Sequence, residues 1–164
     1  MIPTQPETAV RIARRKPRTA RIGIFGIGYH VYWNQFPGLL EELTAKLDVL
    51  EQKVEARGVT VVNFGMIDKA QEAYALLPKL KAADLDLVFC DMVTYGTSAT
   101  FGTIIRALDI PIVLVALQPL AGLDYAKATT YMQLANDDFC SVPEFTGVAI
   151  RMGRRAPEVI IGTL

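Results

Sequence analysis

Residues 22–27 read Ile-Gly-Ile-Phe-Gly-Ile, an unbroken apolar run of strand length with glycine punctuation. A strand buried on both faces reads this way, because a parallel sheet carries helices above and below it. The same form returns at Val59-Thr60-Val61-Val62-Asn63-Phe64, Leu85-Asp86-Leu87-Val88-Phe89-Cys90, Ile112-Val113-Leu114-Val115-Ala116 and Glu158-Val159-Ile160-Ile161. Helical patterns lie between the runs. Leu39, Leu40, Leu43, Leu47, Leu50 and Val54 recur at helical spacing, with Glu41, Glu42, Lys46, Glu51 and Lys53 between them, from near Pro37 to Gly58. A second helix is expected from Asp68, as its N-cap, to Lys81, with Pro78 ending or kinking it. Others are expected over 98–108, 125–135 and 143–152. Strands separated by helices of this length predict an α/β fold, an open doubly wound parallel sheet of about five strands in the flavodoxin-like order.

The chain has 164 residues, 51% of them hydrophobic, enough for one domain with a proper core. Its 17 basic and 17 acidic side chains cancel, but unevenly. Residues 1–20 form a basic leader, expected to be flexible, in which Pro3, Pro6 and Pro17 interrupt Arg11, Arg14, Arg15, Lys16 and Arg18. Residues 21–164 form the α/β domain and are mildly acidic, which argues against a nucleic-acid partner for the folded body. No apolar run reaches the roughly 18 residues of a membrane span, and no secretory h-region opens the chain. Two distant cysteines then favour a reducing, cytoplasmic setting. With His30 as the one histidine, a histidine-rich metal site within this chain is excluded.

The carboxyl ends of parallel strands are where such sheets bind ligands. Here they deliver Gly26, Gly28, Tyr29, His30, Tyr32, Trp33, Asn34 and Gln35 after the first strand, and Phe64, Gly65, Met66 and Asp68 after the second. The third adds Cys90, Asp91, Met92, Thr94, Tyr95, Thr97 and Ser98, and the fourth Gln118 and Pro119. Amides, hydroxyls and aromatic faces suit a polyhydroxylated ligand; the same aromatics also suit a sealed sheet edge or a subunit contact. Gly26-Ile27-Gly28 fails as a dinucleotide fingerprint, since Val31 stands at the third glycine and no acid closes the second strand. His30 with Cys90 invites a nucleophile reading, against which Cys90 ends an apolar strand and fits a small core residue. Thr94, Thr97, Ser98 and Thr100 suit either an oxygen-rich ligand or an ordinary helix cap. Asp137, Asp138 and Glu144 read as a solvated loop with a capping role.

Five stretches, GIFGIGYHVYWNQFPGLL (23–40), VVNFGMID (61–68), FCDMVTYGTSATFGTIIRAL (89–108), VLVALQPL (113–120) and YMQLANDDFCSVPEFTGVAIRMG (131–153), together resemble the N-terminal domain of the L-arabinose and L-fucose isomerase superfamily, closest to its arabinose-isomerase-like members. The resemblance runs from Arg21 to Leu164. It implies an oligomeric enzyme that interconverts an aldose and its ketose with Mn²⁺ or another divalent metal, whose ligands lie in later domains absent from this sequence. It implies a homo-oligomer in which this domain lines a neighbouring subunit's sugar pocket through Tyr29, His30 and Tyr32 in the first loop and Gln118 at the fourth strand end. Trp33 and Tyr95 are expected to shape that pocket or the subunit contact.

These expectations make the chain a substrate-recognition and oligomerisation domain of a sugar isomerase, inactive alone, with no catalytic or metal-ligating residue of its own. Its stop after the fifth strand, at Gly162-Thr163-Leu164, is expected of a domain cut from a longer protein. The alternatives are a stand-alone module that binds a sugar or another metabolite without catalysis, and a purely structural interaction domain.

Overall fold

The computed structural model describes residues 19–164. The expectation of a flexible basic leader over residues 1–20 falls almost wholly outside them. The elements run β1 (Arg21–Ile27), α1 (Val31–Gln35), α2 (Leu39–Glu55), β2 (Thr60–Ile67), α3 (Ala70–Ala82), β3 (Leu87–Asp91), α4 (Ser98–Ala107), β4 (Ile112–Gln118), α5 (Thr130–Ala135), α6 (Val142–Arg151) and β5 (Glu158–Thr163). All pairings are parallel, in the order β2-β1-β3-β4-β5. This is the expected doubly wound sandwich in the flavodoxin-like order.

Each face of the sheet packs its own core. Phe25, Ile27, Val88, Cys90 and Leu114 point toward α3, α4 and α6, where Leu80, Phe101, Ile104 and Phe145 complete one buried cluster. Ile22, Ile24 and Val115 meet Leu47 and Leu50 of α2 on the other face. Toward the strand ends that second face continues through Leu39, Leu43, Val93, Leu134 and Ala135. The alternation within β1 and β3 is the period of two that sends successive side chains to opposite faces. At the centre of the first cluster the Phe101 and Phe145 rings stack 4.3 Å apart. Among the described residues, no helix is long and apolar enough to cross a membrane.

Several boundaries depart from the sequence expectation for identifiable reasons. Pro78 lies inside α3 without ending it. The carbonyl left without a partner belongs to Tyr74, on the exposed side of the helix, where solvent can serve instead. The helix expected over 125–135 begins only at Thr130, because the Asp124 side chain accepts from the Ala126 N–H and folds a local turn, while Thr129 caps the helix proper. α1 is an addition, a single short helix in the first loop. β2 runs three residues past its expected end through a bulge, in which Gly65 takes φ 74° and the Asn63 side chain accepts the Gly65 N–H at 2.8 Å. The bulge carries the strand on to Asp68 at the rim.

Phe145→Ala empties half of the ring stack in the larger cluster and should destabilise the fold by roughly 3–5 kcal/mol in urea unfolding followed by circular dichroism. A loss under about 1 kcal/mol would show that this cluster is not the packed centre of the fold.

Candidate functional site

The strand order reverses direction at β1, so the loops after β1 and β3 leave toward opposite faces and part from one another at the rim. A cavity of about 410 Å³ opens there, lined by Tyr29 and His30 after β1, Asp68, Lys69 and Glu72 around the start of α3, and Thr97 and Thr100 at the start of α4. Tyr29 is half-buried and His30 exposed at its mouth. The Tyr29 ring stands edge-on to His30, Tyr32 and Tyr95, with centroids 5.4, 5.2 and 5.6 Å away. Such edge-to-face contacts fix a ring's orientation as well as its position.

Asp68 is the charged centre of this cleft and is 9% exposed. It does not cap α3: Lys69 occupies the N-cap position, without a side-chain bond. Instead its Oδ2 accepts the Trp33 indole N–H, while Oδ1 is buried with no hydrogen-bond partner among the described residues. Lys69 Nζ lies 3.7 Å from that oxygen and 3.5 Å from Glu72. Trp33 reaches Asp68 because position 28 is glycine; a Cβ there would meet the indole at 2.9 Å. Thus Gly28 makes room for a ring, not for a dinucleotide.

The start of α4 is already occupied. Thr97 Oγ1 accepts from the Thr100 N–H at 3.3 Å, as an N-cap does, and the Ser98 N–H donates to Glu144 at 3.1 Å. The Ser98 hydroxyl donates to the same carboxylate. Glu144 therefore has the capping role expected of it. Asp138 departs from the solvated loop expected of it: it is fully buried and paired with Lys46. Cys90 is likewise fully buried, its thiol pushed well up by burial, with Asp91 adding to the effect, so it is no match for an activated nucleophile.

The six residues expected at the site separate. Tyr29 and His30 line the cavity, Trp33 supports it through Asp68, and Tyr32 and Tyr95 brace Tyr29. Burial raises the phenol pKa of both bracing tyrosines. Gln118 lies apart, its amide donating to the Asn136 carbonyl at 2.7 Å. Lys69 was missing from the expected site, whereas Asp68 was expected at the rim as a helix cap and Thr97 and Thr100 as either ligand contacts or a cap. The signal for Asp68 was its place at the end of VVNFGMID, which reads equally well as a helix cap. A second cavity, of about 360 Å³, sits at the opposite end of β4 and β5. There the Arg154 guanidinium donates to the carbonyls of Ile105, Leu108 and Ile110, closing the end of α4.

The fold and the cleft together define an open doubly wound α/β domain with a small polar pocket at its switch point. No family model and no curated protein matches the chain. Among solved structures that match, that of TesA shares 14% identity and a TM-score of 0.36, over 80% of this chain and 75% of that one. The likeness is too slight to carry an argument. The resemblance to the arabinose and fucose isomerases is overturned by these findings, none of which is a sugar isomerase. The divalent metal, the aldose–ketose reaction and the shared subunit pocket that hung on it lose that support.

Trp33→Phe keeps most of the ring but leaves Asp68 Oδ2 without its donor. It should cost roughly 1–3 kcal/mol in urea unfolding, the usual penalty for an orphaned buried acceptor. A change within about 0.5 kcal/mol would mean that the bond contributes nothing to the folded state.

Proposed function

We propose that the chain is a binding module for a small, neutral, polyhydroxylated molecule, held in the cleft at the carboxyl ends of β1, β2 and β3. The observation that carries this reading is the cavity at the switch point with Asp68 in its wall, one carboxylate oxygen buried without a hydrogen bond among the described residues and Lys69 3.7 Å away. That oxygen accepts and cannot donate, so it calls for a hydroxyl. Tyr29 and His30 offer ring faces to C–H surfaces, while Thr97 and Thr100 border the cavity with their hydroxyls bonded to each other at 3.0 Å.

The charge pattern argues for a neutral ligand over a phosphorylated one. An anion would have to settle beside Asp68 and Glu72 with Lys69 alone in compensation among the described residues, and Lys69 is already drawn to both. Two N–H groups at the start of α4 that would otherwise attract a phosphate, those of Ser98 and Thr100, are engaged by Glu144 and Thr97. Two free cysteines, Cys90 and Cys140, support a reducing compartment, and the cytoplasm is the location that goes with this reading.

Calorimetric titration of the chain with neutral pentoses, hexoses and their phosphates tests the proposal. Heat is expected from at least one neutral sugar, with its phosphate weaker, and Asp68→Asn should raise Kd roughly ten- to a hundredfold, as for loss of a hydrogen bond to a charged acceptor. No heat from any neutral sugar, or tighter binding of the phosphates, would falsify the proposal.

A further inference from the structure

Beneath the rim, on the α2 face, three charged side chains are packed out of solvent. Lys46, 7% exposed, pairs with the fully buried Asp138, and Asp91, 1% exposed at the end of β3, lies within the field of both. Two carboxyls face one ammonium. Full ionisation therefore leaves a net negative charge in a low-dielectric site, which is costly. In addition, Asp91 Oδ1 and Asp138 Oδ2 are buried with no hydrogen-bond partner among the described residues. One proton on either acid makes the cluster neutral, and it turns a carboxyl oxygen from an acceptor into a donor.

The position of the cluster gives that proton a mechanical consequence. Asp138 belongs to the segment 136–144, which straps the rim from side to side. Its Asn136 accepts from Gln118 at 2.7 Å and from the Leu120 N–H at 2.8 Å, tying down the end of β4. Ser141 bonds both the N–H and the carbonyl of Gly96, at 3.1 and 3.2 Å, and Glu144 holds the start of α4. Lys46 is the anchor of this strap on α2.

We propose that Lys46, Asp91 and Asp138 form a proton-held latch, in which a proton on the acid pair keeps the 136–144 strap closed and its loss above neutral pH loosens it. Burial pushes Asp91 up to about 7 and Asp138 up to about 6, while Lys46 pulls both back down. The other titratable groups nearby do not supply a second switch of opposite sign. Asp137, beside Asp138 on the strap, is also raised by burial; Cys90, next to Asp91 on β3, and Tyr32 and Cys140, about Asp137, are raised too and stay protonated near neutrality. Both latch acids bind their proton more tightly folded than unfolded. The stability they add is therefore full below the ordinary carboxyl value of 3.8 and is lost as pH climbs through about 6 to about 7.

Hydrogen exchange of the chain from about pH 5.5 to about pH 8.5, corrected for the intrinsic rate, reads the latch directly. Amides of the strap should lose protection as pH rises toward about 7, by up to about tenfold per pH unit for each linked proton, and level off above it. Asp91→Asn leaves one acid for one lysine and should flatten that profile. A flat profile in the unaltered chain, or the same slope in Asp91→Asn, overturns the proposal. Carbon-13 detection of the aspartate carboxyls in the unaltered chain tests it without any variant. One buried carboxyl titrating near neutrality supports the latch, and all of them titrating in the ordinary range near 4 removes its proton.

Discussion

A parallel sheet must be covered on both faces, and this chain meets that constraint with α3, α4 and α6 on one side and α2 and α5 on the other. The connections therefore change sides at β1, and the loops that leave β1 and β3 diverge there. The opening at the rim follows from how the sheet is wound, before any side chain is considered. What the sequence adds is the chemistry at that opening. Tyr29 and His30 follow directly on β1, the Gly65 bulge extends β2 to Asp68, and Gly28 leaves space for Trp33 to hold that carboxylate.

Two sets of acids then serve different ends within one rim. Asp68 lines the cleft with one oxygen fixed by an indole and the other buried beside Lys69 without a hydrogen bond among the described residues, an arrangement that favours a ligand able to donate. Asp91 and Asp138 are sealed behind the rim with Lys46, where no ligand is needed to explain their burial and a proton suffices. The strap that carries Asp138 also carries Glu144, and Glu144 occupies the start of α4 that borders the cleft. The latch and the cleft are thus joined through a single segment.

The fold was legible because it rests on patterns that burial imposes on composition. Five apolar runs at strand length, separated by helical spacing, leave little room for another architecture, and Leu39 to Val54 traced α2 almost to its ends. The cleft was legible only in part. Tyr29 and His30 are found by counting past a strand, but Gln118 sits at an equivalent strand end and spends its amide on Asn136. Asp68 and Asp138 were both read as ordinary caps or solvated loop residues. Their roles depend on partners 35 and 92 residues away in sequence, Trp33 and Lys46, which no local spacing reveals. The family resemblance failed for a related reason. Short stretches at strand ends are shaped by the turns that a doubly wound sheet needs, and likeness there is no measure of shared chemistry.

Trp33 is the sole tryptophan of the chain, so its indole N–H gives a single resonance beside Asp68. Following that resonance by proton–nitrogen NMR while titrating the neutral sugars tests the central claim most directly. The account predicts that it shifts saturably, together with the amides of His30, Lys69 and Thr97. An unmoved indole, or shifts confined to Pro111's neighbours and the start of β5 at the opposite end of the sheet, would contradict it.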